Sequence, residues 1–199
     1  MTIGKPALEF EYMTLDDFEE ALLDKPENEK WELIGGRVIR GMVGARIEHQ
    51  RIVRNIDTAL TNHFRARKKP CESLRETFWL KEKALELGVF PDIMVHCGGI
   101  APGAVSVNDP LVLFEVTSPG SDARDRLEKK DLYLKLPSLK AYVLVKRDKP
   151  YLEVLSRGSE GWTGYQVLEG REAVLRLPDI SLELSLAEIY RDVGGTTET

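Results

Sequence analysis

The feature that most constrains the fold of this chain is a succession of three apolar, strand-like runs in the middle of the sequence. The runs are GVFPDIMVH (88–96), DPLVLFEVTS (109–118) and KAYVLVKRDK (140–149). A long, turn-rich stretch joins the first two, which predicts an antiparallel pair of strands. A helical stretch joins the second to the third, and such a crossover predicts a parallel pair with a right-handed connection. The sequence therefore predicts a mixed β-sheet.

Each of the first two runs is interrupted by one acidic residue, Asp92 in the first and Glu115 in the second. An Asp that follows a Pro often marks only a turn or an exposed edge, and this explanation suffices for Asp92 alone. In the second run, however, strand alternation puts Glu115 on one face with Leu113 and Thr117, which we expect to be at least partly buried. A buried carboxylate is unfavourable unless it is neutralised, paired or bound to a cation. Two such acids on neighbouring strands could share one divalent ion.

Helical periodicity defines the most clearly predicted helix, within GARIEHQRIVRNIDTALTNHFRARKK (44–69). Its apolar side chains Val53, Ile56, Leu60 and Phe64 recur at intervals of three or four residues and form one buried stripe.

Further elements precede and follow this helix. They are a helix from about residue 15 to 24 capped by Thr14, a hairpin at Gly35-Gly36, a strand over 72–82, a helix ending before Pro137, a β-meander over 151–177 and a short helix starting at Ser185. We expect one α+β domain over residues 1–199, with the core order helix, three strands, helix, strand. In this arrangement a central mixed sheet is flanked by helices, with an N-terminal hairpin and a C-terminal β-meander as additions.

The composition is that of an ordinary soluble globular protein, with 42% hydrophobic and 31% charged residues. No run approaches the roughly 18 apolar residues of a membrane helix, and the N-terminus has no basic region followed by an apolar one, so we expect a cytoplasmic protein without a membrane partner. The formal charge of −5 argues against nonspecific coating of nucleic acid. The segment 121–149 is locally basic, which is typical of a phosphate-facing surface and equally of a solvated helix with mixed charges.

The cysteines and histidines do not predict a structural metal site. Cys71 and Cys97 have no metal-ligand spacing and do not suggest a disulfide scaffold, so we expect two small buried hydrophobic residues. The three histidines are scattered along the chain, which disfavours zinc. A metal ion in this protein should therefore be held by oxygen, and Mg²⁺, or Mn²⁺ in its place, suits carboxylate ligands.

A cation that could complete such a site is offered by the helix between the second and third runs. Lys129 and Tyr133 are four residues apart and share one helix face, whereas Lys130 shares its face with Leu127 and Leu134. If Tyr133 packs on the sheet, Lys129 points the same way, but periodicity alone does not choose between the two lysines.

Taken in order, these motifs resemble a bacterial "putative restriction endonuclease" family within the PD-(D/E)XK nuclease superfamily. The motifs that carry the resemblance are PD at 91–92, LFEVTS, EKKDLY and KAYVLV, together with WELIGGRVI and HQRIVRNI, which are similar to that family's N-terminal hairpin and first core helix. The resemblance covers most of the chain. It implies a restriction-endonuclease-like fold and metal-dependent cleavage of DNA.

The resemblance also implies roles for individual residues. Asp92 and Glu115 would bind the metal, and Lys129 would be the catalytic lysine. The superfamily pattern places its lysine two residues after the acid, where this chain has Thr117, and the family has moved the lysine to the following helix. The alternative for Lys129 is a solvated lysine that pairs with an acid such as Asp125.

Five other polar residues are weaker candidates for the site. His49 lies on the stripe of the long helix and could orient a water molecule or contact phosphate, although a lone histidine there is more often simply hydrogen-bonded. Glu32 could approach the site from the hairpin, with solubility of the hairpin as the simpler explanation. Gln50, Thr117 and Ser118 could hydrogen-bond to the residues around the metal.

The main functional hypothesis is a Mg²⁺-dependent endodeoxyribonuclease, in which a water molecule attacks phosphorus and Lys129 stabilises the developing charge. The alternative is a catalytically inactive binding or regulatory module with the same fold. The acidic net charge and the residue Thr117 favour that alternative somewhat, and RNA remains open as a substrate. Cleavage of both DNA strands is simplest with two symmetry-related sites, so we expect a homodimer.

Overall fold

The computed structural model describes residues 12–42, 44–117 and 123–193. The helices of these ranges are α1 (Leu15–Ala21), α2 (Ile47–Arg67), α3 (Ala123–Tyr133) and α4 (Leu186–Ile189). The strands are β1 (Glu29–Ile34), β2 (Arg37–Met42), β3 (Cys71–Arg75), β4 (Trp79–Glu82), β5 (Leu87–Val89), β6 (Ile93–Cys97), β7 (Ser106–Val107), β8 (Val112–Thr117), β9 (Ala141–Lys146), β10 (Tyr151–Gly158), β11 (Gly161–Glu169), β12 (Val174–Leu177) and β13 (Leu182–Ser185). Single 3₁₀ turns span Leu22–Asp24, Lys83–Leu85 and Pro178–Ile180.

The larger sheet has six strands in the order β11-β10-β9-β8-β6-β3. Strands β6 and β8 are antiparallel, with Ile93 opposite Phe114, and β8 and β9 are parallel, with Phe114 opposite Val143. Helix α3 lies between β8 and β9 in the chain and forms the crossover. The predicted antiparallel and parallel pairings are confirmed, and the architecture is mixed α+β with central sheets flanked by helices.

Both faces of the larger sheet are covered, because successive side chains along each strand point to opposite faces and pack in two different cores. On one face, β6 and β8 contribute Ile93 and Phe114 to a core that includes the α2 stripe and the C-terminal strands. On the other, Met94 and Leu113 pack with Tyr133 of α3. Strand alternation thus turns Glu115, two residues after Leu113, towards the α3 side.

The second sheet has the order β2-β1-β5-β4-β7, and a third consists of β12 and β13 alone. The hairpin of β1 and β2 turns at Gly35 and Gly36, both with positive φ, as the glycine pair predicts. The C-terminal segment, predicted as one meander, instead divides: β10 and β11 extend the larger sheet, and β12 leaves it to pair with β13.

The runs that contain Asp92 and residues 72–82 are not single strands, so both predictions need correction. The first run is divided into β5 and β6, which belong to different sheets, and Phe90, Pro91 and Asp92 connect them. Proline cannot donate a ladder hydrogen bond, which suits a position between two strands. The run 72–82 is likewise divided into β3 and β4 by a turn in which the Phe78 amide donates to the Arg75 carbonyl over 2.8 Å. Neither glycine nor proline marks this turn, so the run resembled one strand.

The two cysteines form a disulfide rather than two free buried side chains. Cys71 and Cys97 are direct partners in the register of β3 and β6, and a Cys71–Cys97 bond joins them. The expectation of two unpaired residues was wrong because cross-strand register is not visible in the spacing of 26 residues.

The helix signals in the sequence were more reliable. Thr14 caps α1, its hydroxyl accepting from the Asp17 amide, and Ser185 caps α4 in the same way. All four residues of the predicted α2 stripe are buried.

Within the ranges that the structure describes, no helix has the length and apolar character needed to cross a membrane.

Candidate active site

The candidate site lies where the chain passes from the second sheet into the larger one. Asp92 immediately precedes β6, and its Oδ2 accepts a hydrogen bond from the Val116 amide of β8 over 2.7 Å. Glu115 is the neighbouring residue on β8. The backbone of β8 therefore links the segments that carry the two acids.

Lys129 of α3 lies against Glu115 and a further acid, Glu32. Its Nζ is 3.3 Å from Oε1 of Glu115 and 3.1 Å from Oε1 of Glu32. Its side chain is only 14% exposed, so this lysine is not a solvated one. The structure thus turns Lys129 towards Glu115, whereas Lys130 forms no ion pair in the part of the chain that is described. The side chain of Asp125 lies outside the described residues.

Glu32 comes from the centre of β1 and adds a third carboxylate to this cluster. Its Oε1 also accepts a hydrogen bond from the Phe90 amide, over 3.1 Å, in the connection between β5 and β6. Burial alone would raise the pKa of Glu32, but the charges of Lys129 and Lys30 and the Phe90 hydrogen bond together lower it. Glu32 is therefore built into the interior of the site.

Tyr133 is a member of the site that the sequence did not identify as one. It is fully buried one turn after Lys129, and its hydroxyl donates to Oε1 of Glu115 over 2.9 Å. The spacing of Lys129 and Tyr133 on one helix face is the available signal, but spacing alone predicts only that Tyr133 packs on the sheet.

Opposing interactions act on the pKa of the Glu115 carboxyl. Burial raises its pKa, the Lys129 charge lowers it, and the charges of Asp92 and Glu32 raise it again, with a net upward shift. Burial would lower the pKa of Lys129, but the charges of Glu115 and Glu32 raise it above its usual value. Lys129 is therefore cationic at neutral pH, and the carboxylates around it repel each other.

His49 of α2 contacts the other acid. Its Nε2 is 3.1 Å from Oδ1 of Asp92, and both side chains are mostly buried. Burial opposes charge on both groups, but the hydrogen bond and the charge interaction outweigh it, so that the pKa of His49 is raised and the pKa of Asp92 is lowered. The buried Nδ1 of His49 has no hydrogen-bond partner among the described residues. The histidine on the helical stripe is thus directed at the acid pair.

The remaining candidates differ in position. Gln50 is exposed, on the wall of a groove that also contains His49 and Asp92. Thr117 is buried, and its hydroxyl donates to the Val145 carbonyl over 3.5 Å, so it contacts the sheet rather than the acids. Ser118 lies outside the described residues.

The chemistry of the donor set fits a hard cation that keeps much of its water. The described residues contain no group of three or more His, Cys, Asp or Glu side chains arranged to hold a metal ion. Mg²⁺, however, is commonly held by only one or two carboxylates, with water and substrate phosphate as its other ligands. Asp92 and Glu115 supply two carboxylates close enough for the charge of one to raise the pKa of the other. A cation between them would relieve that repulsion.

Comparison with known proteins shows the family and the fold of the chain. A family model described as "Putative restriction endonuclease", Uma2, matches residues 15–188. The chain belongs to the Uma2 family. The resemblance inferred from the motifs is therefore confirmed at the level of the family.

A solved structure with the same fold is that of a putative nuclease of the DUF820 family from Anabaena variabilis ATCC 29413. It is 18% identical, with a TM-score of 0.70, and the match covers 89% of this chain and 97% of the other. At that identity the likeness shows the fold alone. No curated protein matches the chain.

Proposed function

We propose that this Uma2-family protein hydrolyses phosphodiester bonds in DNA, with a divalent cation held by Asp92 and Glu115. The observation that carries the proposal is the burial of Lys129 between Glu32 and Glu115, the residue that directly precedes the Val116 amide bound to Asp92. Buried ion pairs contribute little to stability compared with apolar residues of similar volume. A set of three acids and one lysine in the interior is therefore better explained by chemistry than by folding.

The cation, Mg²⁺ or Mn²⁺, would act as a Lewis acid on a phosphoryl oxygen and lower the pKa of a water molecule that serves as nucleophile. The chain itself supplies the orientation and the fixed charge. The Val116 amide and His49 hold the two oxygens of Asp92, and Tyr133 holds one oxygen of Glu115. Lys129, which is buried and whose raised pKa keeps it cationic at neutral pH, would stabilise the negative charge that develops on the phosphate.

A catalytically inactive module with the same fold is the alternative function. The acidic net charge and Thr117 at the usual lysine position favour it. The position of Lys129 beside Glu115 weakens the second of these points, because a lysine reaches the acid from α3 instead. Homodimer formation, expected for cleavage of both strands of a duplex, remains a proposal as well.

Cleavage of supercoiled plasmid and of circular single-stranded DNA tests the proposal, with Mg²⁺, Mn²⁺ or EDTA present. Wild type should cut DNA only with a metal ion, and Asp92→Asn should lose at least about 100-fold of that activity, as removal of a group that stabilises the transition state does. Glu183→Gln, at an exposed acid in β13, is the matched control and should cut like wild type. Absence of cleavage by folded wild type with either metal would support the inactive module.

A further inference from the structure

A groove of about 1010 Å³ lies beside the acid pair and is named here the aromatic groove. Asp92 and His49 form part of its wall, and Trp31, Trp79 and Phe90 form another part. Its size is that of a site for a small organic ligand rather than for a whole duplex. A ligand in this groove would lie against the candidate metal-binding acid.

The three aromatic side chains come from separate segments and are each half-buried. Trp31 lies on β1, Trp79 on β4, and Phe90 in the connection that leads to Asp92. The rings of Trp79 and Phe90 are 5.2 Å apart at a tilt of 49°. Trp31 and Trp79 also pack on a small apolar core that includes Phe18, but neither is fully covered by it. The groove therefore presents partly exposed aromatic surface two residues from Asp92.

Basic side chains accompany the rings. Each cation lies over one face of its ring: Lys30 is 5.8 Å from the centre of the Phe90 ring, Arg40 is 4.3 Å from that of Trp31, and Lys81 is 4.2 Å from that of Trp79. A base therefore stacks on the part of the aromatic surface that these cations leave open. Aromatic rings beside cationic side chains are the usual means of binding single-stranded nucleic acid, because bases stack on the rings while phosphates approach the cations.

The groove has no net positive charge, so binding of a nucleic acid there requires stacking of its bases on the aromatic rings. Its lining contains as many lysines and arginines as aspartates and glutamates, and the chain as a whole carries −5. Phosphate contacts with single cations are possible, but the groove has no net positive charge, so these contacts alone do not supply the affinity that binding of intact duplex requires. Base faces must supply the remaining affinity, and these faces are covered by neighbouring bases in a duplex but exposed in an unpaired strand.

We infer that the aromatic groove binds unpaired nucleotides, so that the substrate is single-stranded or locally melted DNA. A base stacks on the aromatic wall, chiefly Trp31 and Phe90. The phosphate adjoining it then lies near Asp92, which would hold the cation in the proposed function. The exposed apolar side chains Leu23 and Val105, 84% and 66% exposed, lie on the same groove and contact the sugars or bases of the strand. This inference rests on the proposed function and names its substrate class. A single strand needs only one active site, so it removes the reason to require a dimer.

Tryptophan fluorescence tests the inference without cleavage. The chain has three tryptophans, of which Trp31 and Trp79 line the groove, while Trp162 lies on β11 and donates to the Leu134 carbonyl over 2.7 Å. In EDTA, a 12-nucleotide oligothymidylate should quench the fluorescence and bind at least tenfold more tightly than a 12-base-pair duplex. Trp31→Leu, which keeps an apolar side chain, should weaken binding by on the order of 10- to 100-fold, as loss of base stacking does. Trp162→Phe is the matched control and should bind like wild type.

Two results would overturn the inference: duplex binding as tight as oligothymidylate binding by wild type, or equal binding by Trp31→Leu and Trp162→Phe. The first comparison uses wild type alone and so does not depend on the folding of a variant. Cleavage is scored separately with metal present. Metal-dependent cleavage without preference for a single strand refutes the groove assignment but not the hydrolase. Preferential binding of the single strand without cleavage under any metal supports the groove and refutes the hydrolase.

Discussion

Two groups of ion pairs in this protein use the same side-chain chemistry in opposite environments. The interior pairs of Lys129 with Glu32 and Glu115 involve side chains that are 14–16% exposed, whereas Arg176 and Glu183, in the two-stranded sheet, are 64% and 69% exposed. The distances are nearly equal, 3.1–3.3 Å and 3.2 Å. Distance therefore does not distinguish the interior pairs from the exposed pair. Burial separates them, because only the interior charges have lost their water and depend on each other.

The largest effect that would sharpen this comparison is expected from Lys129→Met. Without this lysine, Glu32 and Glu115 remain buried without their shared ion-pair partner, so the free energy of unfolding at pH 7 should fall by about 3–5 kcal/mol. Urea denaturation measures this change. A loss below about 1 kcal/mol would place the interior pair in the same class as surface pairs.

The pH dependence of that loss is a second check on the same variant. The lowered pKa of Glu32 in the wild type contributes stability above its ordinary value of 4.5, and this contribution disappears as the pH falls through the lowered pKa. The variant lacks the Lys129 charge, which is the largest of the contributions that lower this pKa. The difference between wild type and Lys129→Met should therefore shrink as the pH falls below 4.5.

His49→Gln should give the next largest effect, about 1.5–3 kcal/mol, because a hydrogen bond between charged groups is lost. The stability due to the raised pKa of His49 is present below 6.5 and is lost as the pH rises through the raised value. The stability due to the lowered pKa of Asp92 is present above 3.8 and is lost at lower pH. The loss in free energy of unfolding should thus be greatest between these two values and smaller at pH 9. A loss independent of pH would show that His49 is only packed.

Tyr133→Phe should have a smaller effect, about 1–2 kcal/mol, since one hydrogen bond to Glu115 is removed without a change of shape. This hydrogen bond lowers the pKa of Glu115, so its loss should raise that pKa further. The pH at which metal-dependent cleavage begins should then move upward, which a pH–rate profile measures. An unchanged profile would mean that Glu115 ionisation does not limit the reaction.

The smallest effect is expected from Arg176→Gln. Exposed pairs contribute little, so its free energy of unfolding should lie within about 0.5 kcal/mol of wild type, in low and in high salt. A loss of unfolding free energy comparable to that of Lys129→Met would show that burial does not distinguish the two groups of ion pairs.

Periodic and capping signals made much of the fold predictable from the sequence. The α2 stripe, the glycine turn of the first hairpin and the Thr14 cap depend on neighbouring residues, so a short stretch contains all the information they require. The extent of the single domain over residues 1–199 stays a prediction.

The features that the sequence did not reveal depend on contacts between distant segments. Helical periodicity placed Lys129 and Lys130 on different faces but did not indicate which face meets β8. The hydrogen bond from Tyr133 to Glu115, the Cys71–Cys97 bond and the change of sheet at Pro91 all arise from register and from layer packing. Asp92 and Glu115 could be selected as candidates because each interrupts an apolar run, which is unusual even locally.

Calorimetric titration with Mn²⁺ tests most directly the central claim that the interior acids form a metal-dependent site. Wild type should bind Mn²⁺, and Asp92→Asn and Glu115→Gln should each weaken that binding by at least about tenfold, which corresponds to about 1.4 kcal/mol. Glu183→Gln, in the exposed region, should bind like wild type. Absence of Mn²⁺ binding by folded wild type, or equal binding by Asp92→Asn and Glu183→Gln, would contradict the account.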